Sequence, residues 1–150
     1  MANVIPGILL GGISCAILDG AASTIQFALR GVNPSRVWQG VASGLLGPES
    51  FRHGTRSAVL GLLCHFLIAM VAAMVFSLAI RCLPSLVRHY LLSGALYGVI
   101  VFLFMNLVVI PLSAMPKRPL TSSGVMTQVL IHIFCVGLPI SLAASRFWRH

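Results

Sequence analysis

Long apolar runs, each broken by one strongly polar residue, organise this chain. The runs at about 4–29, 57–80, 91–112 and 125–147 reach the length of about 20 apolar residues that a helix needs to cross hydrocarbon, so the pattern predicts four spans. The interruptions are Asp19, His65, Asn106 and His132, one per run. A charged side chain at that depth costs roughly 2.5 to 3.5 kcal/mol on insertion scales, which makes these positions the first candidates for function.

The links differ in kind. Between the second and third runs, Arg81 to Tyr90 is short and contains Pro84, which predicts an antiparallel hairpin of those spans. Ser113 to Gly124 holds Pro116 and Pro119 around Lys117 and Arg118, a stiff polar turn. The first link, 30–56, has room for its own element. Asn33 and Pro34 read as a helix cap followed by the first helical position, and Val37, Trp38, Val41, Ala42 and Leu45 then recur at helical spacing until Gly47 and Pro48 stop them. This predicts an amphipathic helix at about 34–46, too short to span, whose Trp38 and Arg36 suit the headgroup layer; a re-entrant hairpin is the alternative. The expected fold is all-α: a polytopic membrane four-helix bundle in a single transmembrane domain, 1–150, with a short interfacial amphipathic helix between spans 1 and 2.

Composition agrees. Apolar residues make up 58% and charged residues 8%, against about 45–50% and about 25% in soluble domains, and a small soluble fold could not bury so much apolar surface. The net charge of +8 would suggest nucleic acid in a soluble protein, but the basic residues flank the apolar runs and no aromatic-interleaved basic patch occurs, so the expected partner is the lipid bilayer and nucleic acid is set aside. Arg30, Arg36, Arg52, Arg56, Lys117 and Arg118 outweigh Arg81, Arg88, Arg146 and Arg149, which by a small margin places the first and third links in the cytoplasm. No basic residue precedes the first run and the run is long, so it reads as an uncleaved span rather than a signal peptide. Cys15, Cys64, Cys82 and Cys135 show no ligand or disulfide spacing and read as small packing residues.

At about 1.5 Å per residue, the four polar residues fall at depths of roughly 9 to 15 Å from the side of the first and third links, one slab beneath the amphipathic helix. Helical spacing puts Gly12, Cys15, Ala22, Ser23 and Gln26 on the face of Asp19, Gly61, Ala69 and Ala72 on that of His65, and Gln128, Cys135 and Pro139 on that of His132. Small and polar residues gather on helix-facing surfaces, so these three should point into the bundle. Asn106 lies most of a right angle from its own helix's small stripe of Gly94 and Gly98. The GxxxG patterns Gly7 to Gly11 and Gly94 to Gly98 favour close helix packing, within the chain rather than in a dimer.

Three readings of the polar layer remain open. It packs helices, with Asp19 accepting hydrogen bonds from a histidine, Asn106 or Ser23, in a structural or interaction protein. It forms a small-solute or proton pathway, with Asp19 as the exchanging carboxyl, His65 and His132 as relays, and Gln26, Tyr97 and Gln128 in secondary roles; four helices enclose little room, so this reading implies a homo-oligomer or a larger membrane complex. Or it holds a cofactor: haem b between His65 and His132, or a divalent metal on Asp19, His65 and His132 with Asn106 as a weak fourth ligand; no HxxxH or ExxH spacing supports this, and no cofactor is the expectation. Enzymatic chemistry is disfavoured, since no nucleophile elbow, phosphate loop or paired-carboxylate pattern occurs, and the acids are only Asp19 and Glu49, the latter expected to pair with Arg52 or Arg56.

Asp19-Gly20, Gly31-Val32-Asn33-Pro34, Ala42 to Gly47, His65-Phe66, Met105 to Ser113 and Gly137-Leu138-Pro139 resemble a group of uncharacterised small four-span bacterial membrane proteins over most of the chain. The layout is also distantly similar to the YagU-type inner-membrane proteins, which share a polar residue before a Pro-terminated third span. The resemblance implies a multi-pass protein of the bacterial inner membrane and brings no established activity.

Overall fold

A computed structural model describes residues 4–116 and 122–148; the Lys117, Arg118, Pro119 and Arg149 positions lie outside the described residues. The described chain is helical without strands. Helix α1 is Ile5–Ala28, α2 Pro34–Leu46, α3 Gly54–Cys82, α4 Tyr90–Leu112 and α5 Gly124–Phe147. All but α2 are long and apolar enough to cross a membrane. Their outward faces carry Leu9, Leu63, Leu78, Leu91 and Phe134, a surface compatible with an integral membrane protein.

The amphipathic helix forms where its signals place it. The Asn33 side chain accepts a hydrogen bond from Ser35 N at 2.9 Å, Pro34 occupies the first turn, and Gly47 ends the helix at φ 61°, a backbone region open to glycine at little cost. One 3₁₀ stretch, Gly47–Arg52, then leads into α3 and holds the Glu49–Arg52 ion pair at 3.2 Å.

Around the bundle the order is α3, α1, α5, α4. Helices α3 and α4, joined by the short link and its single helical turn Ser85–Arg88, therefore stand at the two ends of an arc rather than packing along each other as a simple hairpin would. The glycines cause this. A Cβ at Gly7 or Gly11 would touch the backbone of Ala144 or Ile140 at 3.4 or 3.3 Å, and one at Gly98 would meet Ile133 Cα at 2.7 Å. Both GxxxG faces thus close on α5, from opposite sides, and packing within the chain consumes them.

Across the arc, α3 and α4 meet through Tyr97. Its hydroxyl donates to the Ala72 carbonyl at 2.7 Å and its ring lies 4.9 Å from that of Phe76. On the side of the short link the bundle is filled by Ala73, Phe76, Ile80, Ile140 and Ala144. On the other side the arc stays open. Tyr97→Phe should lower unfolding stability by about 0.6 kcal/mol, the usual value of an interhelical hydrogen bond in a membrane; thermal unfolding in detergent measures it.

Helices α4 and α5 each contain a widened π turn, Met105–Val109 and His132–Gly137. Pro111 and Pro139 follow them, where a missing N–H and the ring's bulk against the preceding turn favour a loosened ladder. Asn106 and His132 lie in these turns.

Candidate functional site

The open half of the arc encloses a cavity of about 390 Å³, at the lower end of the range of about 300–1,000 Å³ typical of small-molecule sites. Its long walls are apolar: Leu67, Ile68 and Ala72 from α3 face Val101, Met105 and Val109 from α4. Between them, α1 contributes Cys15 and Asp19, and α5 contributes His132 and Val136. The cover is α2, through Val41, Gly44 and Leu45, tied to the end of α4 by a hydrogen bond from Ala114 N to Gly44 O at 3.0 Å.

Glycines also set how closely the cover fits. A Cβ at Gly61 would coincide with the Trp38 carbonyl, so α2 lies directly on the α3 backbone. The Trp38 ring then reaches down between helices, edge-on to His65 at 5.4 Å between centroids and within 2.8 Å of where a Gly20 Cβ would stand. Trp38 reads from the sequence as a headgroup anchor; the structure packs it against the polar layer. The small residues Gly20 and Gly61 opposite it are the signal for that placement.

The polar groups are arranged as follows. His65 Nε2 lies 3.0 Å from the Ala16 carbonyl, and a carbonyl only accepts, so Nε2 carries the proton there. Asp19 Oδ2 is 3.9 Å from the same nitrogen, too far for a hydrogen bond, and Oδ1 is buried with no partner. The two side chains are 15% and 14% exposed. His132 donates Nδ1–H to the Gln128 carbonyl at 2.9 Å, and its ring stands edge-on to Phe102 at 5.5 Å. Asp19 accepts no hydrogen bond among the described residues, neither from a histidine nor from Asn106 or Ser23.

Asp19, His65 and His132 therefore share one cavity. Asn106 does not line it: its amide folds back on the Phe102 carbonyl at 2.8 Å, one turn up its own helix. Gln26 and Gln128 form a cross-link between α1 and α5, Gln128 Nε2 donating to Gln26 Oε1 at 2.8 Å, while Tyr97 bridges α3 and α4 below the cavity. Among the described residues no group of three or more His, Cys, Asp or Glu side chains gathers as metal ligands, so the set Asp19, His65 and His132 is not assembled as a metal centre.

Comparison with protein-family models, curated proteins and solved structures returns no match.

Proposed function

We propose that this is a multi-pass protein of a bacterial inner membrane whose cavity is a proton-exchanging site for transport of a small solute, or of protons alone, by itself or as the accessory subunit of a larger complex. One observation carries the reading: Asp19, the only acidic residue of the spans, is largely buried against a cavity and accepts no hydrogen bond among the described residues. A carboxyl retained only to hold helices together would be hydrogen-bonded, because buried polar groups left unpaired cost about 1–3 kcal/mol. Helix cross-linking is done elsewhere, by Gln26 with Gln128, by Tyr97 with Ala72 and by His65 with Ala16. Carboxyl and imidazole groups can each exist charged or neutral, which suits them to take up and pass on a proton in hydrocarbon. Four helices long and apolar enough to cross a membrane support the membrane location; the bacterial inner membrane is the part of the reading that rests on the sequence resemblance alone.

Reconstituted into vesicles that enclose a pH-sensitive dye, the protein should carry potential-driven proton uptake at least tenfold above that of protein-free vesicles. Uptake equal to that of protein-free vesicles would overturn the reading.

A further inference from the structure

We infer that the cavity takes an apolar molecule bearing a primary or secondary ammonium group; this names the ligand class of the proton-exchanging site and rests on that reading. The inference follows from which hydrogen-bonding positions the cavity leaves unused. His65 directs its N–H to Ala16 O at 3.0 Å, so whenever the ring is neutral its other nitrogen presents a lone pair. His132 directs its N–H to Gln128 O at 2.9 Å, with the same consequence for Nε2. Ser113, on the cavity wall, donates its hydroxyl proton to Ile110 O at 2.8 Å. Asn106, whose amide would be a strong donor, is turned away to Phe102. The Cys15 and Cys64 thiols are weak donors at best.

Among the described residues no Lys or Arg lines the cavity. The strong polar positions left are therefore acceptors, with Asp19 the one acid among them. An anion, or a neutral molecule that only accepts, finds no strong donor among the described residues of such a site. A cation with N–H donors finds the carboxyl of Asp19 and imidazole lone pairs, and charge-assisted bonds of this type are roughly twice as strong as neutral ones. The body of the ligand follows from the walls. Val41, Leu45, Leu67, Ile68, Val101 and Met105 offer aliphatic and thioether contact, and the flexible thioether adapts to varied shapes. Leu45 of α2 and Leu67 of α3 both line the cavity and are both exposed, which gives an apolar molecule dissolved in the bilayer a route in from the side.

The test uses 1-adamantylamine and its acidic counterpart adamantane-1-carboxylate, compact cages that differ in the sign of the polar group. In a Trp148→Phe background Trp38 is the sole tryptophan, and its ring reports on the cavity through its contact with His65. The amine should change Trp38 fluorescence saturably and the carboxylate should not. Asp19→Asn should weaken amine binding at least tenfold, and Met105→Phe, which fills the wall without touching the polar groups, should weaken it as well. Equal binding of the two cages, no saturable response to the amine, or unchanged affinity in Asp19→Asn would overturn the inference. The comparison of cages can be repeated on the native chain, whose tryptophan fluorescence includes that of Trp38, so it decides the matter even where a variant does not fold. Proton uptake that persists without amine binding would sink the ligand class alone; absence of proton uptake would remove the proton-exchanging reading on which it rests.

Discussion

Asp19→Asn is expected to reduce proton uptake in reconstituted vesicles to the protein-free level while shifting unfolding stability by less than about 1 kcal/mol. The two parts are linked. An amide has the shape of the carboxyl but does not exchange a proton in this way, so a pathway that loads Asp19 stops. Stability should hardly move because the carboxyl is bonded to nothing that an amide would release: Oδ1 has no partner, and Oδ2 is 3.9 Å from His65. The cross-links Gln26–Gln128, Tyr97–Ala72 and His65–Ala16 survive the substitution. If Asp19 instead served to pack helices, the variant would lose stability and leave flux unchanged. Flux and thermal unfolding measured on one preparation separate the two.

The largest structural effect is expected at Gly137. A Cβ there would coincide with the Gly94 carbonyl and stand 2.6 Å from Gly98 N and 2.9 Å from Gly98 Cα. All three obstacles are backbone, so no side chain can swing aside, and α4 must move away from α5. Overpacking costs typically 1–3 kcal/mol, and with rigid neighbours Gly137→Ala should reach the upper end, about 3 kcal/mol. Because α4 forms one wall of the cavity, amine binding and proton uptake should fall with it. Gly40→Ala is the matched control: a Cβ there meets nothing within 4 Å, and its stability should stay close to that of the native chain. Detergent unfolding of the two variants gives the comparison.

Much of this fold is legible in the residues. Asn33, Pro34 and Gly47 delimit α2 because a cap, a first-turn proline and a positive-φ glycine act locally. The spans were readable because hydrocarbon thickness imposes a length and a composition. Their observed bounds differ by only a few residues, α3 for instance starting at Gly54 rather than Ser57. The shared placement of Asp19, His65 and His132 came from depth and helix face together.

The arc was not legible. A GxxxG stripe says that a helix packs closely but not against which partner, and here both stripes chose α5, leaving α3 and α4 apart. The cavity is a consequence of that choice, so its apolar walls could not be read from periodicity. Asn106 shares the slab by depth, yet a side chain in a widened turn can satisfy itself on its own helix, as its bond to Phe102 O shows. The close seat of α2 on α3 depends on Gly61, whose lack of a side chain is visible in the sequence but whose partner, Trp38, is not.

The central claim is that Asp19 exchanges a proton at the cavity, and an infrared pH titration of the reconstituted protein tests it most directly. The account predicts, beside the band of the exposed Glu49, a second carboxyl C=O band that appears and disappears reversibly with pH, shifts when 1-adamantylamine is added, and is missing in Asp19→Asn. A band that never titrates, or the same titrating band in Asp19→Asn, would contradict it.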